Sequence, residues 1–262
     1  MTYKHIEFEL SEGEGIIWLN RPEVHNAMNE EMITEIVDAF SKAGEMAEVR
    51  YLVLRGRGKS FCAGADLNYM KGIAQFGFDE NYQDGLKLAK CFNVIYNCPK
   101  PTIAIVHGAA IGGANGLLAA CDMVYCLDDT KFAFSEVKLG IAPATISPYV
   151  CKRIGEYGAR DLMVTGRRFL GKEAEKHGLV NKSFETEEAL DEQMAFVRKM
   201  LMSSGPAAME ATKKLIYNLY NKYNFEDSID YTAKLIAELR ASEEGQEGMA
   251  SFLEKRKARW NN

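Results

Sequence analysis

The chain has 262 residues, 47% hydrophobic and 26% charged, with a formal net charge of −5 at neutral pH. That length suits one large domain, or one domain with a small appendage, and the apolar content suffices for a sizeable core. The acidic balance argues against a nucleic-acid surface, and the longest apolar stretches, such as LLAACDMVYCL at 117–127, are charge-broken and too short to span a bilayer. Residues 6–10 alternate and 15–20 form an apolar run after a glycine turn, which predicts an antiparallel hairpin. Apolar side chains at helical spacing predict a helix over 26–47, followed by a buried strand over 49–55. A second helix is expected over 85–97, stopped by Pro99 and Pro101, then a strand over 102–107. The glycine-rich segment GAAIGGANG at 108–116 then opens a helix running to 121, with short strands at 123–127 and 131–134. Beyond residue 149 the pattern turns helical, with helices expected over 158–165, 172–177, 187–203, 206–223, 225–241 and 244–257. Strand, helix, strand in this order implies parallel crossover units, hence an α/β body with a helical C-terminal part.

Cys62, Cys91, Cys98, Cys121, Cys126 and Cys151 show neither a C-x-x-C pair nor metal-ligand spacing. Most lie in apolar runs, so they read as structural thiols of a reducing compartment, and no metal site is expected. The opening MTYKHIEFEL carries charges where a secretory signal needs an apolar core; a cytoplasmic location is expected. The glycines do not spell a dinucleotide fingerprint, and the GKS at 58–60 has Val53 where a phosphate loop requires glycine. No nucleophile elbow is present. His107 ends a strand and reads as a hydrogen-bonded core residue; His5, His25 and His177 read as surface or loop residues.

Two glycine turns, FCAGAD at 61–66 and GAAIGGANG at 108–116, each follow a strand. Gly64, Gly112 and Gly113 could simply permit tight strand-to-helix turns. Alternatively, amides at a helix N-terminus point outward and could polarise an acyl carbonyl, at about 3 kcal/mol per well-aimed donor. Glu136 follows a buried strand among apolar neighbours, where partial desolvation would raise its pKa toward acid–base work; an ordinary solvated glutamate is the alternative. The basic end SFLEKRKARW at 251–260 is either favourable charge at a helix C-terminus or an anion contact.

Taken together, IIWLNRPEVHNAM at 16–28, FCAGADL at 61–67, the glycine segment with Cys121 and Asp122, FSEVKLG at 134–140 and FLEKRK at 252–257 resemble the enoyl-CoA hydratase/isomerase (crotonase) superfamily. The resemblance covers essentially the whole chain and rests on five motifs in order. It implies a ClpP/crotonase-like spiral of ββα units around two sheets (residues 1–200), then a helical region (201–262) for assembly into a homo-trimer or a hexamer. It implies an acyl-CoA thioester as substrate, with no separate cofactor, no nucleic acid and no membrane. By the same resemblance the oxyanion hole would be the amides of Ala65 and Gly113. Val24, His25, Ala27, Ala63, Asp66, Leu67 and Gly112 would line the coenzyme A and substrate site, and Phe252 and Lys255 would meet the coenzyme A of a neighbouring subunit.

The chain departs from the family pattern at one position. Two-glutamate hydratases of the family carry a carboxylate where this chain has Gly116, and only the second, Glu136, is present. A single carboxylate suits double-bond isomerisation. Yet SEVKLGIAPATISPY at 135–149 is similar to bacterial single-glutamate hydratases acting on methylglutaconyl-CoA or isoprenoid-glutaconyl-CoA in leucine and terpene breakdown. Hydration is the favoured expectation, isomerisation the alternative, and a non-catalytic acyl-CoA- or RNA-binding homologue a third. Lys71, Lys138, Ser147 and Tyr149 are candidates to meet a distal carboxylate on the acyl chain.

Overall fold

The computed structural model describes residues 1–261. Its strands in chain order are β1 (Ile6–Ser11), β2 (Glu14–Leu19), β3 (Tyr51–Gly56), β4 (Thr102–Val106), β5 (Ala109–Ile111), β6 (Met123–Leu127), β7 (Lys131–Ala133), β8 (Arg168–Leu170) and β9 (Lys182–Phe184). Its helices are α1 (Glu30–Glu45), α2 (Leu67–Ile73), α3 (Phe78–Tyr96), α4 (Ala114–Ala120), α5 (Ser147–Thr165), α6 (Gly171–Lys176), α7 (Glu187–Ser203), α8 (Pro206–Asn221), α9 (Phe225–Ala241) and α10 (Glu243–Leu253). One sheet runs β1-β2-β3-β4-β6-β9 and a second runs β5-β7-β8. The β1–β2 pair is antiparallel, and every other pairing in the larger sheet is parallel. Strands β3 and β4 are buried on almost every residue, as a parallel sheet covered on both faces requires. Phe132 of β7 stacks on Phe169 of β8 at 5.6 Å, which helps hold the small sheet together.

Contacts divide the chain into two units: residues 1–98 with 102–193, and residues 99–101 with the chain from Met194 onward. The first unit contains both sheets. In the second, the Glu244 carboxylate accepts from the Ala207 and Ala208 amides at the start of α8, a favourable place for negative charge. Glu247 is bonded by the Arg256 guanidinium and the Arg259 amide. Helix α9 has no buried residue, and Phe225 and Ile229 lie open to solvent.

Several elements differ from expectation, for local reasons. The first helix begins at Glu30, not 26, because the Asn29 side chain caps it by accepting from the Met32 amide. Helix α3 begins at Phe78, where the Glu80 carboxylate accepts from the Gly77 amide; its polar first turns carry no apolar rhythm to read. Pro148 and Gly155 hide most of α5: the proline sits harmlessly in the first turn, and Gly155 interrupts the helix at φ 68°. Strands β5, β8 and β9 have three residues each, too few for periodicity to register. All candidate membrane helices fail on length or polarity among the described residues.

Candidate active site

The FCAGAD turn is laid between two backbone partners. On one side Cys62 bridges Ala110 of β5: its amide donates to Ala109 O at 3.0 Å, and Ile111 donates back to Cys62 O at 3.2 Å. On the other side Ala65 bridges Met28. The Met28 amide donates to Gly64 O at 2.7 Å and the Asp66 amide to Met28 O at 2.9 Å. In a parallel bridge the bonds flank the bridged residue, so the Ala65 N–H points away from Met28. It finds no acceptor among the described residues. Gly64 permits this at φ 98°, where a Cβ would also come within 2.8 Å of Ile111 O.

The same pairing carries the second glycine turn alongside. Gly112, at φ 55°, donates to Ala133 O at 2.8 Å and reverses the chain into α4. Gly113 occupies the N-cap of α4, and its amide likewise has no acceptor among the described residues. Two N–H groups without a main-chain acceptor among the described residues therefore sit on turns that the Cys62–Ala110 bridge joins.

Buried amides hold these turns in place. Asn115 is fully buried and donates from Nδ2 to Gly112 O and Ala133 O, both at 3.0 Å. Asn26 is also fully buried: its Oδ1 accepts from the Arg21 amide, and its Nδ2 donates to Arg57 O and Ser60 O, each at 2.8 Å. It adopts φ 57°, a region asparagine tolerates better than alanine. Asn26→Ala is expected to cost about 3 kcal/mol, because three main-chain groups lose partners; a urea-unfolding midpoint unchanged by the substitution would contradict this. Nothing in the sequence marks either asparagine, since a polar residue within a loop motif gives no sign that it is buried.

Asp66 is committed locally. Its Oδ1 accepts from the Asn68 and Tyr69 amides as the cap of α2, and its Oδ2 pairs with Arg21 at 2.9 Å. Burial would push this carboxyl up, but the Tyr69 amide, the Arg21 guanidinium and the Asn68 amide outweigh it and hold the pKa below its ordinary range. Of the other residues expected near coenzyme A, Val24, His25 and Leu67 are exposed, Ala63 is half-buried, and Ala27 is buried. His25 sits at φ 53°, its Nδ1 is 3.2 Å from Ser60 Oγ, and its carbonyl accepts from the Ala63 amide at 2.9 Å. The 21–28 loop and the FCAGAD turn thus form one hydrogen-bonded surface. In the second unit Phe252 and Lys255 are both exposed.

Glu136 lies on a short 3-10 helix, Ser135–Leu139, directly after β7. A Cβ on Gly112 would stand 3.5 Å from its Oε1, which places the carboxyl against the turn that presents the Gly113 amide. Its Oε2 is buried and has no hydrogen-bond partner. Burial pushes its pKa up, opposed by its own main-chain amide. A half-buried carboxylate with a spare oxygen and a raised pKa is equipped to take or give a proton.

Position 116 is closed. A Cβ there would lie 2.6 Å from both Phe92 Cζ and Ile146 Cγ2. Phe92 and Ile146 are themselves 0% and 1% exposed, and Tyr149 packs edge-on against Phe92 at 6.1 Å. The space that a side chain from this position would enter is filled by hydrocarbon, a fact that the glycine alone does not disclose.

The remaining candidates divide. Tyr149 is in this aromatic packing, while Lys71 and Lys138 are exposed and Ser147 donates to Pro143 O at 2.7 Å. His107 bonds Gly58 O through Nε2 at 2.9 Å, so the expected hydrogen bond is present, but the residue is half-buried and not in the core. Burial pushes the Cys62 thiol up to about 12, so this cysteine within the turn is no nucleophile at neutral pH. Asp161, Glu173 and His177 cluster on the surface, where Arg167 donates to both carboxylates.

Comparison with known proteins agrees with this architecture. The enoyl-CoA hydratase/isomerase family model matches residues 9–262. The chain is 33% identical to a crotonyl-CoA hydratase of Syntrophomonas wolfei over 260 residues, covering 98% of both proteins. It is 32% identical to a peroxisomal Delta(3,5)-Delta(2,4)-dienoyl-CoA isomerase of Arabidopsis thaliana over 252 residues, covering 92% of this chain and 90% of that protein. The crystal structure of an enoyl-CoA hydratase from Shewanella pealeana superposes with a TM-score of 0.93 at 35% identity, covering 98% of this chain and 96% of that one. The crotonase fold expected from the sequence is therefore the fold observed, and the chain belongs to the enoyl-CoA hydratase/isomerase family.

Proposed function

We propose that this protein adds water across the double bond of a 2-enoyl-CoA, using Glu136 as the sole acid–base group. The observation that carries this reading is the Glu136 carboxyl. It has a spare buried oxygen and lies against the Gly112–Gly113 turn, beside the unpartnered Ala65 and Gly113 amides. The thioester oxygen is received by the two amides. Glu136 takes a proton from water as the water oxygen bonds to the β-carbon, and the π electrons move onto the thioester oxygen as an enolate. The protonated Glu136 then returns its proton to the α-carbon, restoring the carbonyl.

With Phe92 and Ile146 filling the space at Gly116, no second carboxylate is available there, and the water is held from the Glu136 side. The motif around 135–149 favours a methylglutaconyl-CoA-type substrate, and we assign the assembly as a homo-trimer or hexamer in which Phe252 and Lys255 serve a neighbour's coenzyme A. Coenzyme A enters as part of the substrate.

Isomerisation is the second reading, and the apolar wall at Gly116 favours it: one carboxylate can move a proton between carbons without a second group to hold water. A panel of 2-enoyl- and 3-enoyl-CoA thioesters, followed at the absorbance of the conjugated thioester, separates the two. Hydration removes absorbance from 2-enoyl substrates, whereas isomerisation creates it from 3-enoyl substrates. Binding without turnover on either set would make the protein a non-catalytic acyl-CoA binder.

A further inference from the structure

Arg153 lies in α5, two residues before Gly155 interrupts that helix at φ 68° and ψ 173°. Its guanidinium faces inward. The Nε donates to Ala119 O at 3.0 Å, and Nη2 donates to Cys121 O. Both acceptors are main-chain carbonyls at the C-terminal end of α4, and no carboxylate among the described residues forms an ion pair with Arg153. Asp122, a charge close enough to be felt, is exposed and is occupied by the Thr102 amide and hydroxyl. The cation is thus half-buried against main-chain carbonyls, while the nearby anion is exposed.

Helix α4 is buried at every position from Ala114 to Ala120. Its carbonyl end meets Arg153; its amide end is Gly113, the residue after the Gly112 turn that the Glu136 carboxyl approaches. A helix of this length spans about 10 Å. A cation at the carbonyl end offsets the negative pole there and adds to the positive potential at the amide end. It also fixes the helix along its axis through two hydrogen bonds.

We propose that Arg153 is a positioning residue for the Gly113 amide: it anchors α4 from behind and, through its charge, strengthens the amide's hold on negative charge developing on the thioester oxygen. This rests on the functional reading of the Ala65 and Gly113 amides given above. The residue touches no substrate and acts through the helix.

The test uses Arg153→Gln, which keeps hydrogen-bond donors without charge, and Arg153→Lys, which keeps the charge. Two quantities are read: kcat and KM on crotonyl-CoA, and the red shift in absorbance of 2,4-hexadienoyl-CoA on binding, which reports polarisation of the thioester carbonyl. Arg153→Gln is expected to lower kcat about tenfold with KM within about twofold, the factor that Coulomb attraction across some 12 Å of protein interior supplies. It is also expected to shrink the red shift. Arg153→Lys is expected to keep most of both. A Gln variant with unaltered kcat and red shift overturns the assignment. Should the Gln variant not fold, the Lys variant decides: a tenfold loss of kcat at constant KM there overturns it as well. Absence of any red shift in the unsubstituted protein defeats the functional reading of the amides, and this assignment with it; a red shift that persists in the Gln variant defeats only the role of Arg153.

Discussion

Glu136→Gln is expected to lower turnover of a 2-enoyl-CoA by about 10²–10⁴-fold while leaving acyl-CoA affinity within a few-fold, since proton transfer is lost and the two amides remain. Steady-state kinetics together with calorimetric titration of a saturated acyl-CoA would measure both effects; turnover near the unsubstituted rate would remove Glu136 from the mechanism. The pH dependence follows from the same burial. Glu136 must be ionised to accept a proton, and burial raises its pKa. The acid limb of kcat/KM should therefore lie above the ordinary carboxylate range of about 4.3.

Stability should respond in the opposite sense. For a carboxylate whose folded-state pKa is raised, the stabilising contribution is complete below the unfolded-state pKa and is lost as pH rises through the folded value. The unsubstituted protein has thus lost that contribution at neutral pH, whereas glutamine is never ionised. Glu136→Gln should consequently show a higher Tm than the unsubstituted protein near about pH 8, with the gap closing toward about pH 4. An inactive variant that is also more stable is the signature of a site whose charge is kept for chemistry.

Gly116→Glu should destabilise the protein by at least about 3 kcal/mol and yield no second catalytic carboxylate. The new Cβ alone would stand 2.6 Å from Phe92 and Ile146, and the carboxylate would follow it into hydrocarbon. Gly116→Ala isolates the steric part, about 1–3 kcal/mol. Phe92→Ala opens a cavity at a cost of about 3–5 kcal/mol on its own. Combined with Gly116→Glu, however, it removes the Phe92 part of the clash and leaves that with Ile146, so the double variant should be more stable than the two separate losses predict. Urea denaturation of the four proteins measures this coupling. Strict additivity would show that Phe92 does not block position 116.

How far the site could be read in advance differed from residue to residue. The glycines of both turns and Glu136 stood out because they interrupt or follow strand-like apolar runs, and five motifs in order along the chain carried the family resemblance. Asn26, Asn115 and Arg153 did not. Each acts by hydrogen bonding to main-chain groups remote in sequence, such as Asn26 to Ser60 and Arg153 to Ala119. Composition and spacing carry no record of such partners. Strands β5, β8 and β9 were missed for a related reason: β5 exists because Cys62, β7 and the turn into α4 hold it, not because its own residues prefer to be extended.

The sequence by itself determined most of the larger elements, though not the first halves of α3 and α5, together with the positions of the two glycine turns, the presence of a carboxylate at 136 and its absence at 116. These are local matters, governed by apolar periodicity, backbone freedom and residue identity. Tertiary structure decided how those features are arranged. It placed the Ala65 and Gly113 amides on adjoining turns, set Glu136 against Gly112 with one oxygen unpartnered, and filled the space at Gly116 with Phe92 and Ile146. The physical reason is that a glycine specifies only what its own backbone is free to do. What occupies the volume beside it is chosen by side chains that close packing brings from elsewhere in the chain.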